Sequence, residues 1–186
     1  MIRTLLVLLG VLISIHAANA GDKRSVVNPM SAEALIEDAA DRLLRTQQDQ
    51  IAEVLLSYVQ TEAVAKFTLG NHARTLSEEH LSRYTHAFES WLYGQVSSQT
   101  ERFSELSIEI QKVAYRNQND AVITTRISHH QDQFQLRWRV IRRGEHWGVV
   151  DLEFAGIWLA IEQRAQVDAI LDKPGANIEQ VIARLG

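Results

Sequence analysis

Residues 134–156 read FQLRWRVIRRGEHWGVVDLEFAG, and the fold turns on how this stretch is read. Phe134, Leu136, Trp138 and Val140 alternate with Gln135, Arg137 and Arg139, the two-residue period of a strand with one face buried. At 143–145, Arg-Gly-Glu marks a tight turn, because glycine reaches positive φ without a Cβ clash. The chain then re-enters as a second β-rich run, WGVVDLEF, and stops at Gly156. The result is a two-stranded antiparallel ribbon with one bulky apolar face and one arginine-rich face. What the bulky face packs against is the functional question.

The same period continues upstream. Leu106, Ile108 and Ile110 alternate with Ser107, Glu109 and Gln111, and the break at Gln111-Lys112 before Val113 and Tyr115 predicts a bulge. RNQND at 116–120 is turn chemistry, and AVITTRI at 121–127 is a short β-branched strand. A polar turn at 128–132 leads into the ribbon. Four strands joined by short turns predict an antiparallel meander.

The first half has helical spacing instead. Ser31 is a candidate N-cap, with Met30 and Leu35 as a staple, and Leu35, Ile36, Ala39, Ala40, Leu43 and Leu44 share one face. A short helix at 51–56 would be capped by Asp49. A further helix at 58–69 would end at Gly70 in the left-handed C′ position, followed by a linker at 71–75. Ser77 opens the longest helix, with Leu76 against Leu81. Leu81, Tyr84, Phe88, Trp91 and Leu92 form its aromatic stripe, and Glu79 faces Arg83 one turn on. After Gly156 the spacing predicts a helix over 157–171, a stop at Lys173-Pro174-Gly175 and a last helix capped by Asn177. Helices first and strands later is an α+β arrangement.

The chain has 186 residues, no cysteine and a formal charge of −4. Residues 1–20 read as a cleavable export leader. Arg3 precedes an apolar run at 5–15, shorter than the ~20 residues of a membrane-spanning helix, and Ala18-Asn19-Ala20 has the small-x-small cleavage pattern. The expected mature domain is 21–186, one unit by length. Without cysteine there are no disulfides, thiolate metal sites, cysteine nucleophiles or lipidated cysteines. A mildly acidic exported chain is also a poor nucleic-acid binder.

No catalytic constellation emerges. His80 and His86 fall on different helix faces, and His129-His130 reads as a solvated turn rather than a metal site. Asp151 and Glu153 share a strand face, which leaves acid–base chemistry conceivable and a salt bridge to neighbouring arginines the plainer reading. Arg126, Arg137, Arg139, Arg142 and Arg143 could meet anionic head groups, or could be neutralised by Glu105, Glu109 and Glu153. No phosphate loop, serine elbow or zinc-protease motif occurs.

The order Tyr58-Val59, Leu69-Gly70, then Thr75-x5-Leu81-x2-Tyr84-x3-Phe88-x3-Leu92 resembles the MlaC, or toluene-tolerance, family of periplasmic phospholipid-binding proteins. Trp147, Val149, Asp151, Leu152 and Gly156 resemble its C-terminal signature. The chain departs from the family pattern in lacking an aspartate near Tyr58 and a tyrosine at Val96. Ala155 and Trp158 stand where the family has glutamate and serine. The resemblance implies an apolar cavity between sheet and helices, in a cone shaped like NTF2-like or cystatin-like folds. Its lining would be Phe67, Phe88, Trp91, Leu92, Ile108, Phe134, Leu136 and Trp138, with Trp158 bulky enough to occlude it.

The implied function is a monomeric, non-enzymatic phospholipid shuttle without cofactor. It would carry lipid across the periplasm between an outer-membrane lipoprotein and an inner-membrane ABC transporter complex of the Mla system, maintaining outer-membrane asymmetry. The alternatives are a small-ligand binder or enzyme on an NTF2-like fold, a carrier of hopanoid- or sterol-type lipid, and an adaptor with a filled core.

Overall fold

The computed structural model describes residues 31–100, 106–129 and 131–186. The leader at 1–20, Met30 of the first staple, Glu105 and His130 lie outside these residues. The sheet comprises β1 (Ser107–Asn117), β2 (Asp120–His129), β3 (Asp132–Arg143), β4 (His146–Phe154) and β5 (Ile157–Trp158), in that order. Every neighbouring pair is antiparallel. The expected four-stranded meander therefore gains a fifth, two-residue strand.

That fifth strand replaces the predicted first turn of the helix at 157–171. Ala155 and Gly156 both take positive φ, 50° and 83°, as a two-residue primed hairpin turn requires. The turn folds Ile157 back onto Phe154 and Trp158 onto Glu153. A bulge in β1 falls between Ile110 and Lys112, where the alternation breaks. Another register shift falls between Tyr115 and Asn117 at the end of β1, and a bulge between Arg139 and Val140 leaves Val150 of β4 as the extra residue. Because strand parity is two, each bulge moves all later side chains to the other face.

Among the described residues, six α-helices accompany the sheet: α1 (Ala32–Arg45), α2 (Ile51–Ser57), α3 (Thr61–Thr68), α4 (Glu78–Ser97), α5 (Leu159–Leu171) and α6 (Ile178–Leu185). The Ser31 and Ser77 caps form, Ser31 Oγ accepting from Ala34 N at 3.1 Å and Ser77 Oγ from His80 N at 3.2 Å. Asn177 Oδ1 accepts from Glu179 N at 3.1 Å. Asp49 does not cap α2: it lies within a 3₁₀ turn, Gln48–Gln50, and Gln50 holds the cap position. The segment expected as a linker after Gly70 is also a 3₁₀ turn, Gly70–Arg74, and Gly70 is left-handed at φ 56°.

The helix predicted from residue 58 begins only at Thr61, because the preceding backbone is used by the sheet. Val149 N donates to Tyr58 O at 2.8 Å and Gln60 N donates to Val149 O at 2.9 Å, a one-residue parallel bridge of Val59 to β4. The expected Glu79–Arg83 pair gives way to a longer-range contact. Arg83 grips Glu179 of α6 with both terminal nitrogens, at 2.8 and 2.7 Å.

The interior divides in two. One cluster joins α1 to the sheet through Leu35, Ile36, Ala39, Ile123, Ile127, Trp138 and Val140. The other joins α3, α4, α5 and α6 through Val64, Leu69, Tyr84, Phe88, Val167 and Val181. Within the second, the fully buried Tyr84 hydroxyl meets Thr68 Oγ1 at 2.7 Å, and burial pushes the Tyr84 phenol up to about 12.

Ala155 is the strained position of the β4–β5 turn, since an L-residue at positive φ costs ~1–2 kcal/mol. Ala155→Asn, which suits a primed turn, is expected to raise stability by about 1 kcal/mol, or roughly 2–4 °C in Tm. Differential scanning calorimetry checks this, and an unchanged or lower Tm would count against the strain.

Candidate functional site

The bulky face of the ribbon extends over the four long strands as cross-strand rows. Ile108, Ile127 and Phe134 make the first, and Ile110, Thr125, Leu136 and Phe154 the second. Val113, Ile123, Trp138 and Leu152 follow, then Tyr115, Ala121, Val140 and Val149. The two bulges keep these rows apolar: without them, Val113 and Tyr115 in β1, or Trp147 and Val149 in β4, would turn to the other face.

α1 lies over this face and touches all four long strands. Its Leu35, Ile36 and Ala39 share one apolar cluster with the rows. The polar group at the centre of the face is Thr125, which is fully buried and satisfied. Its Oγ1 accepts from Trp138 Nε1 at 2.8 Å and donates to Leu136 O at 3.4 Å. Rings close both ends of the rows. Phe134 and Phe154 meet edge-on at 5.6 Å, while Tyr115 and Trp147 meet at 6.1 Å.

Of the eight residues expected to line a cavity, the structure brings four together here. Leu136 and Trp138 are buried in the face, and Ile108 and Phe134 are partly buried at its margin. Phe88, Trp91 and Leu92 belong to the helical cluster instead, with the Phe88 ring 6.2 Å from Tyr84 and 5.6 Å from Trp91. Phe67 is 37% exposed, with the Arg164 guanidinium 5.5 Å above its ring. Ile127, Phe154 and the α1 residues share the face with the first four. The parity of the strands pointed to Ile127. Nothing short of tertiary packing pointed to α1.

Trp158 does not occlude this face. It pairs with Glu153, not with Phe154, and so lies on the arginine side, where Arg137 stands 5.3 Å over its ring. That side is internally paired: Arg137 with Glu153, Arg126 with Glu109 at 3.1 Å, and Arg139 with Asp120 at 3.0 Å. Asp120 takes the part expected of Glu105, which lies outside the described residues. His129, expected in a solvated turn, is the buried last residue of β2.

Asp151 has a structural task. The α5 cap residue Trp158 offers no side-chain acceptor, and Asp151 Oδ1 supplies one by accepting from Ala160 N and Leu152 N, both at 2.8 Å. A carboxylate at a helix N-terminus satisfies open N–H groups and opposes the helix dipole. With Glu153 paired to Arg137, the two carboxylates are engaged separately and do not form an acid–base dyad. The Tyr58 hydroxyl donates to Asp38 of α1 and accepts from Arg42 of α1 at 3.3 Å. Burial, with the Asp38 bond, pushes the Tyr58 phenol up to about 12. This polar contact ties α1 to the end of α2.

A separate open groove of about 540 Å³ lies between α2, α3 and α4, lined by Leu56, Thr61, His86, Glu89, Ser90 and Tyr93. It includes none of the eight expected residues.

These features define an α+β protein whose antiparallel sheet carries a continuous apolar face covered by α1, with Val54, Leu55 and Tyr58 of the α2 segment packed against the same cluster. The family described as MlaC protein matches residues 31–186, and the chain belongs to that family. The structure is similar to that of a phospholipid-binding protein from Ralstonia solanacearum in complex with a phospholipid. The TM-score is 0.73 at 16% identity, over 83% of this chain and 94% of that one. A comparison with curated proteins finds no match.

Burial holds the Asp151 carboxyl above the usual carboxylate range, against the opposing pull of the Ala160 and Leu152 N–H groups and of Arg139. A carboxyl with a raised folded pKa binds its proton more tightly when folded, so its contribution to stability grows as pH falls toward its unfolded value of 3.8. Wild type is therefore expected to gain stability relative to Asp151→Asn as pH is lowered from neutral to about 4. Asp151→Ala, which leaves two N–H groups without an acceptor, should cost about 1–2 kcal/mol at neutral pH. Urea unfolding across pH measures both, and parallel profiles for wild type and Asp151→Asn would refute the titration.

Proposed function

We propose that this chain is a phospholipid carrier, made with a cleaved leader at 1–20 and working in the periplasm as a single lipid-binding domain over 21–186. One observation carries the reading: in a member of the MlaC family, the sheet has a continuous apolar face under α1. The margin of that surface is incompletely covered. Leu106, Ile108, Ile110 and Val113 along β1, with Phe134 and Phe154, are only partly buried. Lipid chains would lie between α1 and the sheet, against Ile108, Phe134, Leu136 and Trp138. Phe88, Trp91 and Leu92 would support that chamber from the helical cluster, and Phe67 would sit at the protein surface.

Energetics restrict how such a carrier works. Each methylene removed from water contributes ~0.8 kcal/mol, so two acyl chains of about 30 methylenes gain roughly 24 kcal/mol on binding. Release into solvent is then too slow to be useful. Transfer has to be direct, into a partner site of nearly equal apolar quality. We take those partners to be an outer-membrane lipoprotein and an inner-membrane ABC transporter complex. Nothing is covalently changed in this cycle, so the protein is a carrier and not an enzyme.

Native mass spectrometry of protein purified without detergent should show co-purifying phospholipid, and its absence together with failure to take up lipid from vesicles would sink the reading. Phe134→Glu, at a partly exposed margin position, should reduce retained lipid at least about tenfold, as burial of one charge against acyl chains requires. Phe67→Ala should leave it unchanged. Equal retention by both variants would remove the sheet margin from the binding surface.

A further inference from the structure

Four buried side-chain polar atoms among the described residues have no hydrogen-bond partner: Gln60 Oε1, Gln99 Oε1, Gln166 Oε1 and Trp147 Nε1. Three are glutamine oxygens. The fourth is a donor inside the apolar cluster between α1 and the sheet. Trp147 is 7% exposed, and an unmet buried donor costs about 1–3 kcal/mol. Its indole differs in this respect from that of Trp138 on the same face, whose N–H is met by Thr125 at 2.8 Å. The neighbouring Tyr115 ring, at 6.1 Å and 73°, offers only a weak π acceptor.

Position adds to chemistry. Trp147 stands opposite Arg142, close to the β3–β4 turn, and the β1–β2 turn is held beside it by Arg142 N donating to Asn119 O at 2.9 Å. This end of the sheet carries Arg116, Arg142 and Arg143, the first two in ion pairs with Asp120 and Glu145 at 3.6 Å each, while the opposite end presents the aliphatic and phenylalanine row. Tyr115, beside the indole, is 53% exposed. A phospholipid has the same order of parts: apolar chains, then ester carbonyls that accept hydrogen bonds but cannot donate them, then an anionic phosphate.

We infer that Trp147 Nε1–H is the hydrogen-bond donor for an ester carbonyl of a bound diacyl glycerophospholipid, which sets the lipid's depth with its phosphate toward the two turns. This deepens the carrier reading and rests on it. The N–H makes the site selective for ester-linked chains over ether-linked chains of equal length, which bury the same apolar area but lack the carbonyl.

The test offers the purified protein an equimolar mixture of dipalmitoyl phosphatidylglycerol and its dihexadecyl ether counterpart from vesicles, and reads the bound ratio by native mass spectrometry. Wild type should favour the ester by about five- to tenfold, as one buried hydrogen bond requires. Trp147→Phe keeps an aromatic ring, loses the N–H and should bind both alike. The ratio is internal to each sample, so a general loss of affinity in the variant does not disturb it. If the variant binds neither lipid, Trp147→His, which restores a ring N–H, should recover the ester preference; failure to do so overturns the inference. Equal binding of ester and ether by wild type overturns it too, while leaving the carrier reading intact. Binding of neither by wild type overturns both. A palmitate competitor that displaces the ester at equal concentration, and does so less well from Trp147→Phe, would reassign the donor to a free carboxylate.

Discussion

The structure depends on keeping one sheet face out of water. Four long antiparallel strands place Ile, Val, Phe, Leu and Trp side chains in register on that face, and a surface of that kind has no stable exposed state. α1 covers it, with Val54, Leu55 and Tyr58 packed against the same cluster. Its stripe of Leu35, Ile36, Ala39 and Leu43 is an ordinary amphipathic pattern, yet it reaches every long strand. The contact is hydrophobic and non-directional along most of its length. Its specific polar attachment is at Tyr58, where Asp38 and Arg42 meet one hydroxyl. A roof held mainly by dispersion and burial, with one polar tie to Tyr58 at the end of α2, has few hydrogen bonds to lose if it shifts.

The remaining helices answer a different requirement. α3, α4, α5 and α6 bury Tyr84, Phe88, Leu69 and Val181 among themselves and are bound by directional contacts: Tyr84 to Thr68, Arg83 to Glu179, and Asp151 to the start of α5. Val150, the bulge residue of β4, is packed into this cluster. The bulge therefore does two jobs, keeping the apolar rows in phase and giving the helices a handle on the sheet. The helical unit is bound to β4 by directional contacts, while α1 is held over the face mainly by burial.

How much of this was legible in the sequence follows from what periodicity records. Alternation tells which side chains share a face, so the ribbon, the meander and the β1 bulge at Gln111-Lys112 could all be read from residues 106–154. The β4 bulge left the same kind of mark, Trp147 and Val149 on odd positions and Leu152 and Phe154 on even ones, with the Val149-Val150 doublet between them. The α4 stripe was legible as a buried face, but periodicity does not say against what. Its aromatic content suited a sheet, and the structure packs it on helices. Asp151 could not be assigned because its partner, Ala160 N, becomes available only once Ala155 and Gly156 reverse the chain. The family's glycine was visible, the turn it makes was not.

The same turn accounts for Trp158. In an uninterrupted helix from residue 157, this side chain could have swung toward the apolar face of the sheet. With Ile157 paired to Phe154 and Trp158 to Glu153, strand parity sends the two side chains to opposite faces. The indole goes to the arginine side and stacks beneath Arg137, and only Ile157, itself 37% exposed, is left near the apolar margin. A residue that breaks the family pattern thus stays off the apolar face, because the turn at Ala155 and Gly156 points it away.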